Sequence, residues 1–154
     1  MKYYIVIPSY NEEALIGLTL QSLISQTILP SKIVVVNDNS TDRTAEVVLE
    51  FAKNNPYINL VNKSSENIHL PGSKVIQAFE KGFETLDDNY DLIVKIDADL
   101  IFPTNYFETI IKHFKSDEKI GMVGGFCYVE KNGDWVLENL TDKDHIRGAL
   151  KAYR

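Results

Sequence analysis

Apolar residues along this chain fall into two alternating kinds of cluster. Short runs rich in β-branched and aromatic residues are Tyr3-Tyr4-Ile5-Val6-Ile7, Ile33-Val34-Val35-Val36, Ile58 to Val61, and Leu92-Ile93-Val94-Lys95-Ile96. Their length and composition predict buried strands. Between them, apolar positions recur every three to four residues: Leu15, Ile16, Leu20, Leu23 and Ile24, then Ala45, Val48, Leu49 and Ala52, then Val75, Ile76, Phe79 and Phe83. That spacing predicts helices with one inward face. The first helix is expected to be capped by Asn11, with Glu12 and Glu13 in its first turn. The second is expected over Asp42 to Lys53, ended by Asn54-Asn55-Pro56, and the third from Ser73. A fourth is expected with Pro103 in its first turn, running to about Lys115. Asn62 to Gly72 is polar, contains Ser64, Ser65, Pro71 and Gly72, and predicts a loop.

A β-α-β-α-β-α-β-α order implies a mainly parallel sheet covered by helices on both faces. The expected architecture is therefore a three-layer α/β/α, Rossmann-like domain spanning residues 1–154. Met122-Val123 begins a further strand. Residues His145 to Arg154 have the composition of a helix with no Gly or Pro stop signal, so the chain is expected to run on past Arg154.

Composition narrows the function without naming it. The 154 residues are 44% hydrophobic and 25% charged, as in an ordinary globular domain. A formal charge of −6 and the absence of a Lys/Arg cluster argue against a nucleic-acid surface. Cys127 is the one cysteine, which excludes an internal disulfide and fits a reducing compartment. No stretch reaches 18 apolar residues and no secretory leader precedes the first strand, so a cytoplasmic protein is expected.

The chemistry concentrates where strands end. The run Leu92 to Ile96 stops in Asp97-Ala98-Asp99, two carboxylates one residue apart at the expected carboxyl edge of a parallel sheet, where open α/β sheets hold ligands. Two hard oxygen donors there suit Mg²⁺ or Mn²⁺ together with substrate phosphates. The alternative is a strand-to-helix turn in which both acids cap backbone amides. A second Asp-x-Asp, Asp142-Lys143-Asp144, ends no strand pattern. The turn after the first strand, Pro8-Ser9-Tyr10-Asn11-Glu12, lacks the glycines of a dinucleotide fold, and no P-loop is present. His69, His113 and His145 are far apart and pair with no cysteine, which argues against zinc. No Gly-x-Ser-x-Gly elbow is present.

Three segments in order carry a resemblance: Pro8-Ser9-Tyr10-Asn11-Glu12-Glu13, Val36-Asn37-Asp38-Asn39-Ser40-Thr41-Asp42-Arg43-Thr44, and Lys95-Ile96-Asp97-Ala98-Asp99. Together they resemble the successive signatures of the family 2 glycosyltransferases, over roughly Met1 to Tyr128. Dolichol-phosphate mannosyltransferases share much of this pattern. The resemblance implies the nucleotide-diphospho-sugar transferase fold, and inverting sugar transfer from a nucleotide-sugar to a saccharide or lipid-linked acceptor. It also implies a Mg²⁺ or Mn²⁺ cofactor and possible peripheral membrane association. By the same resemblance Pro8, Tyr10 and Glu12 line the nucleoside pocket, Asp38 bonds the base, and Gly72 and Lys74 face the ribose or diphosphate. Asp97 contacts ribose or metal, and Asp99 binds the metal. The family often has Asp where this chain has Asn37.

Physical chemistry is compatible with these roles and offers plainer ones. A carboxylate accepts the imide N–H of uracil, or the N–H donors of guanine, so Asp38 suits a UDP-sugar. Tyr10 either stacks on the base or packs, Asp38 either binds the base or caps a turn, and Lys74 either meets phosphate or is solvated. Arg43 is expected at the surface and Trp135 in packing. Inverting transfer needs a general base, which the resemblance places beyond Arg154. Glu130, Glu138, Asp142 and Asp144 are better explained by a polar hairpin or loop. Two other readings stay open: a nucleotide-sugar-binding module without catalysis, and a polyprenyl-phosphate sugar transferase.

Overall fold

The computed structural model describes residues 1–64, 73–138 and 145–154. Its elements run β1 (Tyr3–Ser9), α1 (Ile16–Ile24), β2 (Lys32–Asp38), α2 (Thr44–Asn54), β3 (Ile58–Lys63), α3 (Ser73–Phe83), β4 (Leu92–Ile96), α4 (Tyr106–Ser116), β5 (Met122–Val123), β6 (Tyr128–Lys131), β7 (Asp134–Leu137) and β8 (Leu150–Tyr153). The main sheet has the order β3-β2-β1-β4-β8-β5. Its first four strands are parallel, and β8 pairs antiparallel with both β4 and β5.

Strand alternation divides the core into two layers. Ile5, Ile7, Ile33, Val35, Val94 and Ile96 meet Ile16, Leu20 and Leu23 of α1, Val48 of α2, and Phe107, Ile110 and Phe114 of α4. On the opposite face Val6, Val34 and Val36 meet Ala78 of α3. Helices therefore cover both faces, as the βα order predicts.

Several local expectations are corrected. Helix α1 starts at Ile16, and Asn11 does not cap it. Asn11 has φ +52, a left-handed turn conformation that asparagine tolerates. Leu15 and Leu49 are exposed. Helix α3 turns Val75, Ile76 and Phe83 outward rather than inward, while Phe79 packs against the core as expected and Ala78 and Gly82 make the close approach to the sheet. A Cβ at Gly82 would lie 2.6 Å from Val6 Cγ1 and 2.7 Å from Val36 Cγ2. Only glycine allows the helix to sit this close to the sheet. Pro103 precedes α4 instead of entering its first turn, and its carbonyl accepts the Tyr106 amide.

The largest correction is at the end of the chain. Residues 150–153 form strand β8, with Leu150 and Ala152 buried alternately against β4, and no helix forms there. Arg154 then donates to the carbonyl of Glu118 at 2.6 Å and lies over the Phe114 ring, closing the end of α4. Trp135 is 67% exposed on the β6–β7 hairpin, so it does not pack. Glu130 lies in that hairpin, as expected, whereas Asp142 and Asp144 lie outside the described residues. No helix among the described residues is long and apolar enough to cross a membrane.

Candidate functional site

Alternation along three neighbouring strands decides which side chains meet at the sheet's carboxyl edge. Val6, Val34 and Val36 face α3, so Pro8 and Asp38, an even number of residues onward, face the same side. Val94 and Ile96 face the other layer, which turns Lys95 and Asp97 toward α3 as well. Register agrees, because Val6 pairs with Lys95. Three strand tips thus present their polar residues to one crevice, walled on one side by the start of α3.

That crevice has a volume of about 750 Å³. Pro8, Tyr10, Glu12, Asp38, Lys74, Asp97 and Asp99 all line it. Every residue singled out from sequence is therefore brought together, except Gly72, which lies outside the described residues. Ser9, Asn39, Thr41, Val75, Ala78, Lys95 and Ala98 also line it and were not anticipated. Lys95 was legible in principle, since it stands two residues before Asp97 in a strand. Arg43 is exposed and paired with Glu46, as expected of a surface residue.

Two of the signature segments are stitched to each other. The amides of Asn11, Glu12 and Glu13 donate to Ser40 Oγ at 3.0 Å, Thr44 Oγ1 at 2.8 Å and Asp42 Oδ2 at 3.0 Å. In return the Thr41 amide donates to Asn11 Oδ1 at 2.8 Å, and the Arg43 amide donates to Glu13 Oε2 at 2.9 Å. The loops after β1 and β2 hold each other, which satisfies backbone groups that neither helix start could satisfy alone. Partial burial opposes ionisation of Asp42, but hydrogen bonds from the Thr44 hydroxyl and the Glu13 and Thr44 amides hold its carboxyl below the usual range. The third segment is pinned from below, where the buried Thr19 hydroxyl of α1 donates to the Ala98 carbonyl at 2.7 Å.

Within the crevice the acids occupy distinct settings. Asp97 is ion-paired to Lys95, and its amide donates to the Ala149 carbonyl at 2.8 Å. Lys95 also donates to the Gly148 carbonyl at 2.8 Å, which ties the segment before β8 to this strand end. Neither the Asp97 nor the Asp99 carboxylate accepts a backbone amide among the described residues, which sets aside the capping alternative. Glu12 is raised above the ordinary carboxylate range by burial first and then by the charges of Asp99, Asp42 and Asp97. Negative charge is thus concentrated at one end of the crevice. Asp38 is buried and ion-paired to Lys63. Asn37 serves the framework, because its amide donates to Asn62 Oδ1 and its oxygen accepts the Ser40 amide. Tyr10 is 60% exposed at the rim, so packing does not explain it.

A divalent cation fits this donor set in part. Among the described residues no group of three or more His, Cys, Asp or Glu could hold a metal by itself. A Mg²⁺-type site, however, takes one or two carboxylates and completes its shell with phosphate oxygens and water. Asp99 and Asp97 supply that number.

The comparisons agree with this architecture. The family model described as glycosyl transferase family 2 matches residues 4–149. A probable glycosyltransferase, YdaM, of Bacillus subtilis (strain 168) is 32% identical over 126 residues, covering 80% of this chain and 29% of the relative. The solved mannosyltransferase PcManGT of Pyrobaculum calidifontis, in complex with GDP-Man and Mn²⁺, superposes with TM-score 0.70 at 20% identity, over 99% of this chain and 44% of that one. Residues 1–349 of TarS from S. aureus, in complex with UDP, superpose with TM-score 0.68 at 21% identity, over 100% of this chain and 47% of that one. The chain has the fold of these transferases and spans less than a third of the B. subtilis relative's length.

Proposed function

The chain belongs to glycosyl transferase family 2, and from that membership we propose that it is the donor-binding part of an inverting glycosyltransferase that uses a nucleotide-diphospho-sugar, preferentially a UDP-sugar. The observation that carries this reading is the convergence of Tyr10, Glu12, Asp38, Lys74, Asp97 and Asp99 on one crevice from three strand ends and a helix start. Tyr10 offers an exposed ring for stacking on the base, and Asp38 offers a carboxylate for an imide N–H. Lys74 contributes positive charge at the crevice wall toward the diphosphate, and Asp97 faces the ribose. Asp99, with Asp97, would hold Mg²⁺ or Mn²⁺, and the ion would neutralise charge on the leaving diphosphate.

Acceptor activation is assigned outside this crevice. Glu138 is ion-paired to Arg147 and Glu130 lies on the hairpin, so neither is poised to take a proton. The general base is proposed to lie outside this crevice, with a saccharide or lipid-linked acceptor met in the cytoplasm, at the inner membrane face when the acceptor is lipid-linked.

Calorimetric titration of UDP and GDP into residues 1–154 with Mn²⁺ tests the reading. Saturable one-to-one binding that is lost in Asp38→Ala is the expected result. Absence of binding by both nucleotides contradicts it.

A further inference from the structure

Lys63 is the last residue of β3, the outermost strand on its side of the sheet, where a lysine is ordinarily free to extend into solvent. Instead its side chain is only 13% exposed, and Nζ lies 3.4 Å from Oδ1 of Asp38, whose own side chain is 9% exposed. Register makes this a built arrangement. Lys63 and Asp38 are direct partners on the parallel strands β3 and β2, so both lie on the sheet face that carries the crevice, Asp38 in its lining and Lys63 next to Asp38 on the edge strand. Withdrawing an ion pair from water is costly and commonly leaves no net gain in stability. A purely structural role therefore explains this pair poorly.

We propose that Lys63 is a specificity-determining residue, and that with Asp38 it forms a fixed donor–acceptor edge that reads the base of the nucleotide. This rests on the nucleotide-sugar reading above. A lysine ammonium only donates and a carboxylate only accepts. Side by side they match a ring N–H flanked by a carbonyl, which is the edge of uracil and of guanine. The N–H donates to Asp38 and the carbonyl accepts from Lys63. Cytosine presents a bare ring nitrogen where uracil has N–H, and that lone pair would face the carboxylate. Lys63 sets the selectivity by holding Asp38 in one orientation and by supplying the donor beside it.

Competition calorimetry with UDP, GDP and CDP tests the assignment on the wild-type chain, Lys63→Met, Lys63→Arg and Asp38→Asn, with thermal melting to establish that each variant is folded. The expected result is that UDP or GDP binds at least about tenfold more tightly than CDP. Lys63→Met should weaken the preferred nucleotide about tenfold or more, the loss typical of a hydrogen bond to a charged group, and bring it toward CDP. Lys63→Arg should keep the preference. Asp38→Asn should also shrink it, which preserves the test if Lys63→Met fails to fold. Equal weakening of all three nucleotides in Lys63→Met, or an unchanged ratio in Asp38→Asn, would overturn the assignment and leave nucleotide binding intact. No binding of any nucleotide by the wild-type chain would overturn both.

Discussion

Asn11 and Thr41 belong to loops that follow different strands, and Oδ1 of Asn11 accepts the Thr41 amide at 2.8 Å. The bond joins two polar segments 30 residues apart in sequence, and both reach into the crevice through Tyr10 and Thr41. Their shared richness in Asn, Ser, Thr and Asp thus has a mechanical reason. Asn11→Ala is expected to cost about 1 kcal/mol for one net hydrogen bond, with the strain of alanine at φ +52 added to it, and to weaken nucleotide binding by loosening the turn that carries Tyr10. Urea unfolding of the variant beside its UDP titration checks both parts. Unchanged stability would show that the bond adds nothing to the framework.

Tyr10 separates stacking from simple shape. Its ring is exposed, so Tyr10→Ala should leave stability nearly unchanged while costing about 1–3 kcal/mol of nucleotide binding, and Tyr10→Phe should retain most of it. Equal affinities for wild type and Tyr10→Ala, measured by titration with UDP, would remove Tyr10 from the site.

Strands β1, β2 and β4 were legible because each is a short, mainly apolar run buried on both faces, and no rival element explains such a run. Strand β8 was not. Leu150-Lys151-Ala152-Tyr153 is four residues long, and it becomes a strand because β4 and β5 offer it edges, a fact held elsewhere in the chain. Helix α3 misled for a related reason. Of its large residues Val75, Ile76, Phe79 and Phe83, which suggested the inner face, only Phe79 packs against the core, and the close contact runs through Ala78 and Gly82, where smallness permits approach. The crevice acids were visible as strand-end polar residues. Lys63 and Lys95 were missed as residues within strands, although counting by twos from Val61 and to Asp97 places both on the crevice face.

The amino end of the sheet has an acid with a different task. Asp87 accepts from Lys32 Nζ at 2.9 Å and from the Tyr4 hydroxyl at 2.7 Å. Those two bonds, with the Asn89 amide, hold its carboxyl far below its ordinary value of 3.8. The unfolded chain binds this proton more readily, so the stabilisation is complete above about pH 4 and is lost as pH falls below the ordinary value. Asp87→Asn should lower stability at pH 7 and flatten its decline below pH 4. Chemical unfolding from pH 2 to pH 7 checks this, and parallel curves for the two proteins would contradict it.

The dependence of UDP binding on Mn²⁺, compared between the wild-type chain and Asp99→Ala by calorimetry, bears most directly on the claim that a nucleoside diphosphate crosses these strand tips tethered through a divalent ion. Binding at least about tenfold tighter with Mn²⁺ in the wild type, with that gain abolished in Asp99→Ala, is the predicted result. Tight binding without metal that Asp99→Ala leaves untouched would contradict it.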